Sequence, residues 1–335
     1  MKKAIVLGAT GGVGNPVTAE LLKRNIETVV FGRSMNKLRA MAEQLGNPSH
    51  LKLAEGDVFS PGDIVRAAEG VDTIINSANV AYHELAEKLP PLGESVLEAA
   101  KRLQAKTVLV DGIYPYGRRA SQDPITEDHP KRPHTRKGQA RHAYEQLFMR
   151  DGWGGKNTLI ARLPDYYGPS AKQSYLNATM EAIAAGKNGV FIGTMKVPRE
   201  YVYLPDAARM IVELASRDDA YGENWHIPGP GVISGEQIVA IASRAAGYKG
   251  KIWPVGKITL SLLGLFEKPM KEIVEMLYLT EEPLTLSGEK YRRRIGEIPS
   301  TPYEKGIADT IRQLQANKES VSFIAGLSTT GGQSR

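Results

Sequence analysis

The run Gly8-Ala9-Thr10-Gly11-Gly12-Val13-Gly14 follows the β-branched stretch Ala4–Leu7 directly and opens a helical pattern of Val13, Val17, Leu21 and Leu22. Glycines at 8, 11 and 14 between a strand and a helix leave bare backbone beside free N–H groups and a positive helix dipole. That is a seat for a pyrophosphate. The position of the loop commits the start of the chain to a strand, a crossover helix and a second parallel strand.

The rhythm then continues. Runs at Thr28–Phe31, Leu51–Leu53, Thr73–Ile75, Thr107–Val110 and Thr158–Ala161 are continuous rather than alternating, as strands buried on both faces are. Between them lie amphipathic stretches such as Leu38, Met41 and Leu45, then Leu92, Val96, Leu97, Ala100 and Leu103. The sequence predicts an α/β fold: a Rossmann-type doubly wound parallel sheet over residues 1–164. At Asp165-Tyr166-Tyr167-Gly168-Pro169 the rhythm breaks. A smaller, mainly helical C-terminal substrate lobe is expected over 165–198 and 229–315, with segments around 199–228 returning to the first domain. Ile258–Leu279, rich in Leu, Ile, Met and Phe, reads as core or as helices that roof the cleft. Residues 316–335, mostly small and polar, read as a flexible tail.

Composition narrows the chemistry. With no cysteine, disulfides, thiolate metal sites and a cysteine nucleophile are excluded. No apolar run approaches the roughly 20 residues of a membrane span, so the reading is a cytoplasmic protein with no membrane partner. The net charge is +6, yet Lys and Arg are scattered through helical patterns without an aromatic-studded strip. A phosphate-bearing small ligand explains this better than nucleic acid. His83 and His134 stand alone, and no spacing suggests a metal.

The second strand ends Phe31-Gly32-Arg33-Ser34, where NAD-selective sites carry a carboxylate about 20 residues past the glycine loop. Arg33, with Ser34 and Lys37 beside it, suits a 2′-phosphate instead. The expected cofactor is therefore NADP (NADPH), held by Gly8, Thr10, Gly11, Gly12, Val13, Gly14, Arg33 and Ser34.

Further motifs agree. Gly56-Asp57-Val58 follows the third strand and Asn76-Ser77-Ala78-Asn79 the fourth; downstream stand Arg162-Leu163-Pro164-Asp165-Tyr166-Tyr167-Gly168-Pro169 and Arg199-Glu200-Tyr201-Val202-Tyr203-Leu204-Pro205-Asp206-Ala207-Ala208-Arg209. With the glycine loop these resemble the extended short-chain dehydrogenase/reductase superfamily, which contains NAD-dependent epimerases and dehydratases, over residues 1 to about 315. The resemblance implies that Asp57 and Val58 address the adenine and that Asn76 and Ala78 border the nicotinamide ribose. It also implies a Ser or Thr four residues before the YG pair, and a YxxxK on the next helix. Here the YG pair is Tyr116-Gly117, so the hydroxyl position falls on Gly112, and the YxxxK slot holds Lys137-Gly138-Gln139-Ala140-Arg141. The chain resembles an atypical branch without the usual tyrosine.

A proton donor must then come from elsewhere, since the nicotinamide itself handles the hydride. Lys137 is one candidate: Arg141 lies one helical turn on, and like charge with burial favours a neutral amine. The same lysine could instead pair with Asp111 at the adjacent strand end. Arg141 takes the place of the family's lysine, at the nicotinamide ribose. Tyr114 is the other donor, in a slot where the sugar-dehydratase branch carries an acidic catalytic residue, or else an aromatic packed at a strand end. Tyr166, Tyr167 and Arg199 are expected to line the substrate pocket, with core packing the alternative for the tyrosines. The expectation is an NADP-dependent oxidoreductase or epimerase-like enzyme acting on a small carbonyl or activated alkene. The alternative is a non-catalytic NADP(H)-binding sensor or regulatory protein. Helices around Leu92–Leu103 and Ala143–Met149 are expected to pair in a homodimer, as their family counterparts do.

Overall fold

The computed structural model describes every residue except 120, 151, 173, 264–273 and 331–335; of 262–263 and 318–330 it describes the backbone alone. Strands β1 (Lys3–Leu7), β2 (Glu27–Gly32), β3 (Leu51–Glu55), β4 (Thr73–Asn76), β5 (Lys106–Gly112) and β6 (Thr158–Leu163) lie where the sequence places them, each slightly longer. Then come β7 (Asp165–Tyr167), β8 (Gly189–Ile192), β9 (Arg199–Tyr203), β10 (Asn224–His226), β11 (Val232–Ile233) and β12 (Ile252–Val255).

The main sheet has seven parallel strands in the order β10-β6-β5-β4-β1-β2-β3. Strand order reverses between β1 and β4, and the crevice beyond their carboxyl ends is where such sheets bind ligands. The continuous hydrophobic runs have a direct cause. Ala4 and Val6 of β1 face one core layer and Ile5 and Leu7 the other, so both sides of the strand must be apolar.

Helices fill the two layers. On one side α1 (Gly14–Lys23) packs against a later helix, and α2 (Met35–Gln44) buries Leu38 and Met41. On the other, α3 (Pro61–Ala67), α4 (Leu85–Leu103) and α5 (Arg136–Arg150) cover the sheet, with Leu89, Leu92, Val96, Tyr144 and Phe148 buried. Each such side chain contributes roughly 1.5–3 kcal/mol by burial. After the short α6 (Gly154–Asn157) and α7 (Asn177–Ala184), helix α8 (Leu204–Ala215) returns to the first lobe beside α1, where Arg24 pairs with Glu213 at 2.9 Å. β10 joins the main sheet beside β6. β9, however, stays in a small three-stranded sheet with β7 and β11.

The second lobe combines that sheet and the β8–β12 pair with α7, α9 (Gly235–Ala246) and the closing helix Tyr303–Thr330 around a core of Ile183, Phe191, Ile238 and Ile307. The closing helix runs on to Thr330, so the stretch read as a tail from residue 316 begins inside a helix. Of the apolar segment Ile258–Leu279, residues 264–273 lie outside the described residues, while Met276, Tyr278 and Leu279 join Ile113 and Tyr116 in a core cluster. No helix among the described residues is long and apolar enough to cross a membrane.

Glu200 on β9 is buried, and its carboxyl accepts from Gly229 N at 2.9 Å and Leu286 N at 2.7 Å. Burial pushes this carboxyl up to about 8, against the pull of both N–H groups. The folded chain then binds the proton more tightly than the unfolded chain, whose carboxyl titrates near 4.5. Stability from this group therefore falls as pH rises from about 4.5 to about 8 and levels off above. In thermal melts across pH 5–8, Glu200→Gln is expected to lower Tm at pH 5, because one acceptor is lost, and to show a flatter decline toward pH 8 than the parent.

Candidate functional site

The glycine loop sits at the crevice where strand order reverses. Gly8 has φ +75°, and a Cβ there would meet Ala78 Cα at 2.7 Å, on the turn that follows β4. A Cβ on Gly14 would lie 2.8 Å from Ala9 Cα and Ser77 Oγ and closer still to the Gly8 carbonyl oxygen. The turn is closed by Gly11 N donating to Gly8 O at 2.9 Å, and Ser77 Oγ donates to Leu7 O at 2.8 Å. Thr10 and Gly11 are exposed. Helix α1 starts at Gly14 after Val13 with no capping side chain and no acidic residue in its first turn. Asn15 N donates to Gly11 O at 3.1 Å, Val17 N donates to Val13 O at 3.2 Å and residue 16 is proline, so an anion here meets the loop's own N–H groups at the positive end of the helix.

At the end of β2, Arg33 is exposed and Ser34 caps α2 by accepting from Lys37 N. Glu55, in register with Gly32 on the neighbouring strand, accepts from Met35 N at 3.0 Å. Asp57 is exposed after β3, with Phe59 N donating to its Oδ1 at 3.0 Å, and Val58 packs against the core. Asn76 is buried at the end of β4, where Nδ2 donates to Tyr144 Oη at 2.8 Å and Oδ1 accepts from Ala78 N at 3.2 Å. Its amide shapes the turn. Asn79 is the residue of that turn bonded across the site, by Arg141 Nη2 at 2.8 Å.

Two expectations about Lys137 are also corrected. The lysine does not pair with Asp111, and its charged neighbour is an anion. Its Nζ donates to Glu275 Oε2 at 2.8 Å, its backbone N to Glu275 Oε1 at 3.1 Å, and Nζ lies 4.7 Å from the ring centroid of Tyr82. Glu275 is held below its ordinary range: burial opposes this, but the bonds and charge of Lys137 outweigh it. Asp111 instead binds Arg141 at 3.0 Å and faces Arg162 at 3.9 Å. Burial pushes the Asp111 carboxyl up against the pull of both arginines. Behind it, Arg162 pairs with Glu145, and Lys131 adds a bond to Glu145 at 2.6 Å. Burial raises the Glu145 carboxyl, yet Arg162 and Lys131 bring it below normal. Nearby, Tyr116 Oη lies 2.6 Å from His226 Nε2, and burial drives that imidazole down to about 3, so it is neutral.

Tyr114, on the turn after β5, is brought into a cluster of phenols. Its Oη lies 3.4 Å from Tyr82 Oη, which lies 2.8 Å from Tyr175 Oη. Burial raises the pKa of each of the three, so all are protonated and able to donate. Gly112, just upstream, leaves free space: a Cβ built on it meets nothing within 4 Å.

The second lobe divides the expected substrate residues. Tyr166 is half-buried beside the glycine loop, its Cε2 3.8 Å from a Cβ on Gly12, and burial with Tyr114 and Asp165 pushes its phenol up to about 12. Tyr167 is corrected to core: adjacent strand residues face opposite sides, and it stacks 5.2 Å from Tyr203 and 5.9 Å from Tyr303. Arg199 is also corrected. It is 3% exposed, pairs with Asp165 at 3.7 Å, and lies 5.3 Å from the ring centroids of Phe191 and Tyr201. A cavity of about 540 Å³ opens among the ends of β8 and β12, Glu236 of α9 and the 277–281 turn. It shares Lys257, Leu277 and Glu281 with a smaller hollow lined by His134 and Glu275, so one groove leads to the partner of Lys137.

Tyr82, Tyr175 and Glu275 were not singled out by the sequence. Tyr82 alone carried a signal, being an aromatic a few residues past the carboxyl end of a strand at the crevice.

The family model described as NAD dependent epimerase/dehydratase family matches residues 4–227. No curated protein sequence matches the chain significantly. Among solved structures, the chain is similar to the enzyme WbmH of Bordetella bronchiseptica in complex with NAD+, at 18% identity over 94% of this chain and 99% of that one, TM-score 0.72. It is similar to the dTDP-glucose 4,6-dehydratase of Bacillus anthracis str. Ames in complex with NAD, at 15% identity over 95% and 98%, TM-score 0.77. It is also similar to the UDP-glucuronic acid 4-epimerase of Bacillus cereus in complex with UDP-glucuronic acid and NAD, at 18% identity over 93% and 99%, TM-score 0.73. At these identities the likeness is one of fold.

Two glycines at the site should respond oppositely to a methyl group. Gly14→Ala is expected to cost roughly 1–3 kcal/mol in urea unfolding, because backbone must move to admit it. Gly112→Ala is expected to stay within about 0.5 kcal/mol of the parent.

Proposed function

The chain belongs to the NAD-dependent epimerase/dehydratase family, and on that premise we propose an NADP-dependent oxidoreductase or epimerase-like enzyme acting on a small carbonyl or activated alkene. One observation carries the reading: an uncapped helix N-terminus behind a glycine turn shares its crevice with a protonated Tyr114. The close fit of Gly8 and Gly14 to their neighbours keeps that turn free of side chains, as a pyrophosphate needs.

When bound, the nicotinamide supplies hydride chemistry. The chain does the rest. Loop N–H groups and the α1 terminus hold the diphosphate, and Arg33 takes the 2′-phosphate, since Glu55 is turned to Met35 N. Relatives of the same fold hold NAD, and the residue at the end of β2 decides that choice. Arg141, fixed between Asp111 and Asn79, stands where the family's lysine addresses the ribose. Tyr114 donates the proton to the substrate. Lys137, tied to Glu275, closes the inner end of the groove beside Tyr82. Lys196, Lys257, Glu236 and Glu281 at the groove give it mixed charge for a polar substrate. Helices α4 and α5, packed together, form the proposed face of a homodimer.

A second reading, an NADP(H)-binding protein without turnover, draws on the ion-paired Lys137 and the missing hydroxyl at Gly112. NADPH oxidation across carbonyls and enones separates the two: turnover lost in Tyr114→Phe supports the enzyme, and bound cofactor with no turnover supports the second reading. Calorimetric titration tests the cofactor itself. NADP+ is expected to bind at least tenfold more tightly than NAD+. Arg33→Ala should weaken NADP+ roughly 10- to 100-fold, the range of a charged hydrogen bond, and leave NAD+ unchanged. Equal affinities in the parent would overturn the NADP assignment.

A further inference from the structure

Two stretches of chain border the glycine loop from opposite sides. On one, Ala78 abuts Gly8, and the chain continues through Asn79 to Tyr82 in the one-turn helix Tyr82–Glu84. On the other, Ser170 Oγ donates to Gly12 O at 2.8 Å, Tyr166 packs beside Gly12, and the chain goes on to Tyr175. Beyond the loop the two stretches meet, Tyr82 Oη to Tyr175 Oη at 2.8 Å. The Gly8–Ala78, Gly12–Ser170 and Tyr82–Tyr175 contacts thus lie together at the crevice.

The first flank is braced from within the site. Arg141 holds Asn79 at 2.8 Å, and the Lys137 ammonium lies 4.7 Å from the Tyr82 ring centroid, a cation on an aromatic face. Its far end reaches the adenosine side: Lys88 binds Glu84 at 2.5 Å, and the charge of Arg33 also acts on that carboxylate. The closing contact is of another kind. Tyr82 and Tyr175 are both half-buried and lie outside the sheets and long helices, and one neutral O–H···O bond has a modest net strength. Such a contact can open without unfolding either lobe.

We infer that Tyr82 and Tyr175 form a latch that shuts over a dinucleotide seated on the glycine loop and sets how fast it leaves. This rests on the dinucleotide reading above. The latch joins the two lobes, so a seated cofactor would be enclosed whether or not a substrate is present. It also gives Lys137 a task compatible with its ion pair: it holds the Tyr82 ring where the hydroxyl meets Tyr175.

The test is release of NADPH from the full chain, followed in stopped flow by loss of bound-NADPH fluorescence after a chase with excess NADP+. Tyr82→Phe and Tyr175→Phe remove one oxygen each. Each is expected to speed release roughly three- to tenfold, the change set by a hydrogen bond of ordinary net strength. The double variant should release more slowly than the product of the single effects requires, because both changes delete the Tyr82–Tyr175 bond. Unchanged release in both singles, or effects that multiply in the double, overturns the latch and leaves the dinucleotide reading intact. Failure of the parent to bind either NADPH or NADH overturns both. Circular dichroism checks that the variants fold, and either single variant decides the matter if the other does not.

Discussion

The close approach of the backbone at Gly8 and Gly14 governs the site. Where a side chain on Gly14 would start, the Gly8 carbonyl, Ala9 and Ser77 already stand, so strand β1, helix α1 and the turn after β4 are fixed against one another. Everything that meets the crevice is placed by this contact. Ala78 is held at Gly8, and with it the stretch that carries Asn79 and Tyr82; Ser170 is held at Gly12, and with it Tyr166 and Tyr175. Because a parallel sheet brings all its carboxyl ends to one edge, Arg33, Asp57, Asp111 and Tyr114 come to that same edge without a designed contact among them.

Charge and neutrality are kept apart across this edge. Asp111, Arg141, Arg162, Glu145 and Lys131 form a chain of opposite charges, and Lys137 is matched by Glu275. The phenols face one another with neutral hydroxyls, kept so by burial. Arg141 fits this division: it spans two acceptors, Asp111 Oδ1 and Asn79 Oδ1, as a planar guanidinium is able to do.

How much of this was legible depends on the distance over which each feature is decided. The six long strands showed in the sequence because burial on both faces removes alternation, and the glycine loop showed because its spacing is local. β10 did not: its three residues, Asn224, Trp225 and His226, hold a single apolar side chain, too short for any period. The phenol pair joins residues 93 apart and the Lys137–Glu275 pair residues 138 apart, and no local pattern encodes such meetings. Tyr166 and Tyr167 could not both face one side, since neighbours on a strand point to opposite sides; Gly306 and Tyr203 packing on Tyr167 place it in the core of the second lobe. For Lys137, helical spacing put Arg141 one turn away but gave no hint of the acid that arrives from residue 275.

The edge of the main sheet has a consequence for biosynthesis. β6 ends at Leu163, but the strand that covers it comes from residues 224–226, and the Trp225 ring is capped by Lys290 and Arg294 at 4.4 and 4.9 Å from its centroid. The nucleotide half is therefore not a severable piece of polypeptide. A nascent chain leaving the ribosome holds β6 as a bare edge until residues 224–226 have emerged, and its tryptophan stays uncapped until most of the second lobe has followed. Truncation anywhere in that interval yields a sticky fragment rather than a smaller protein.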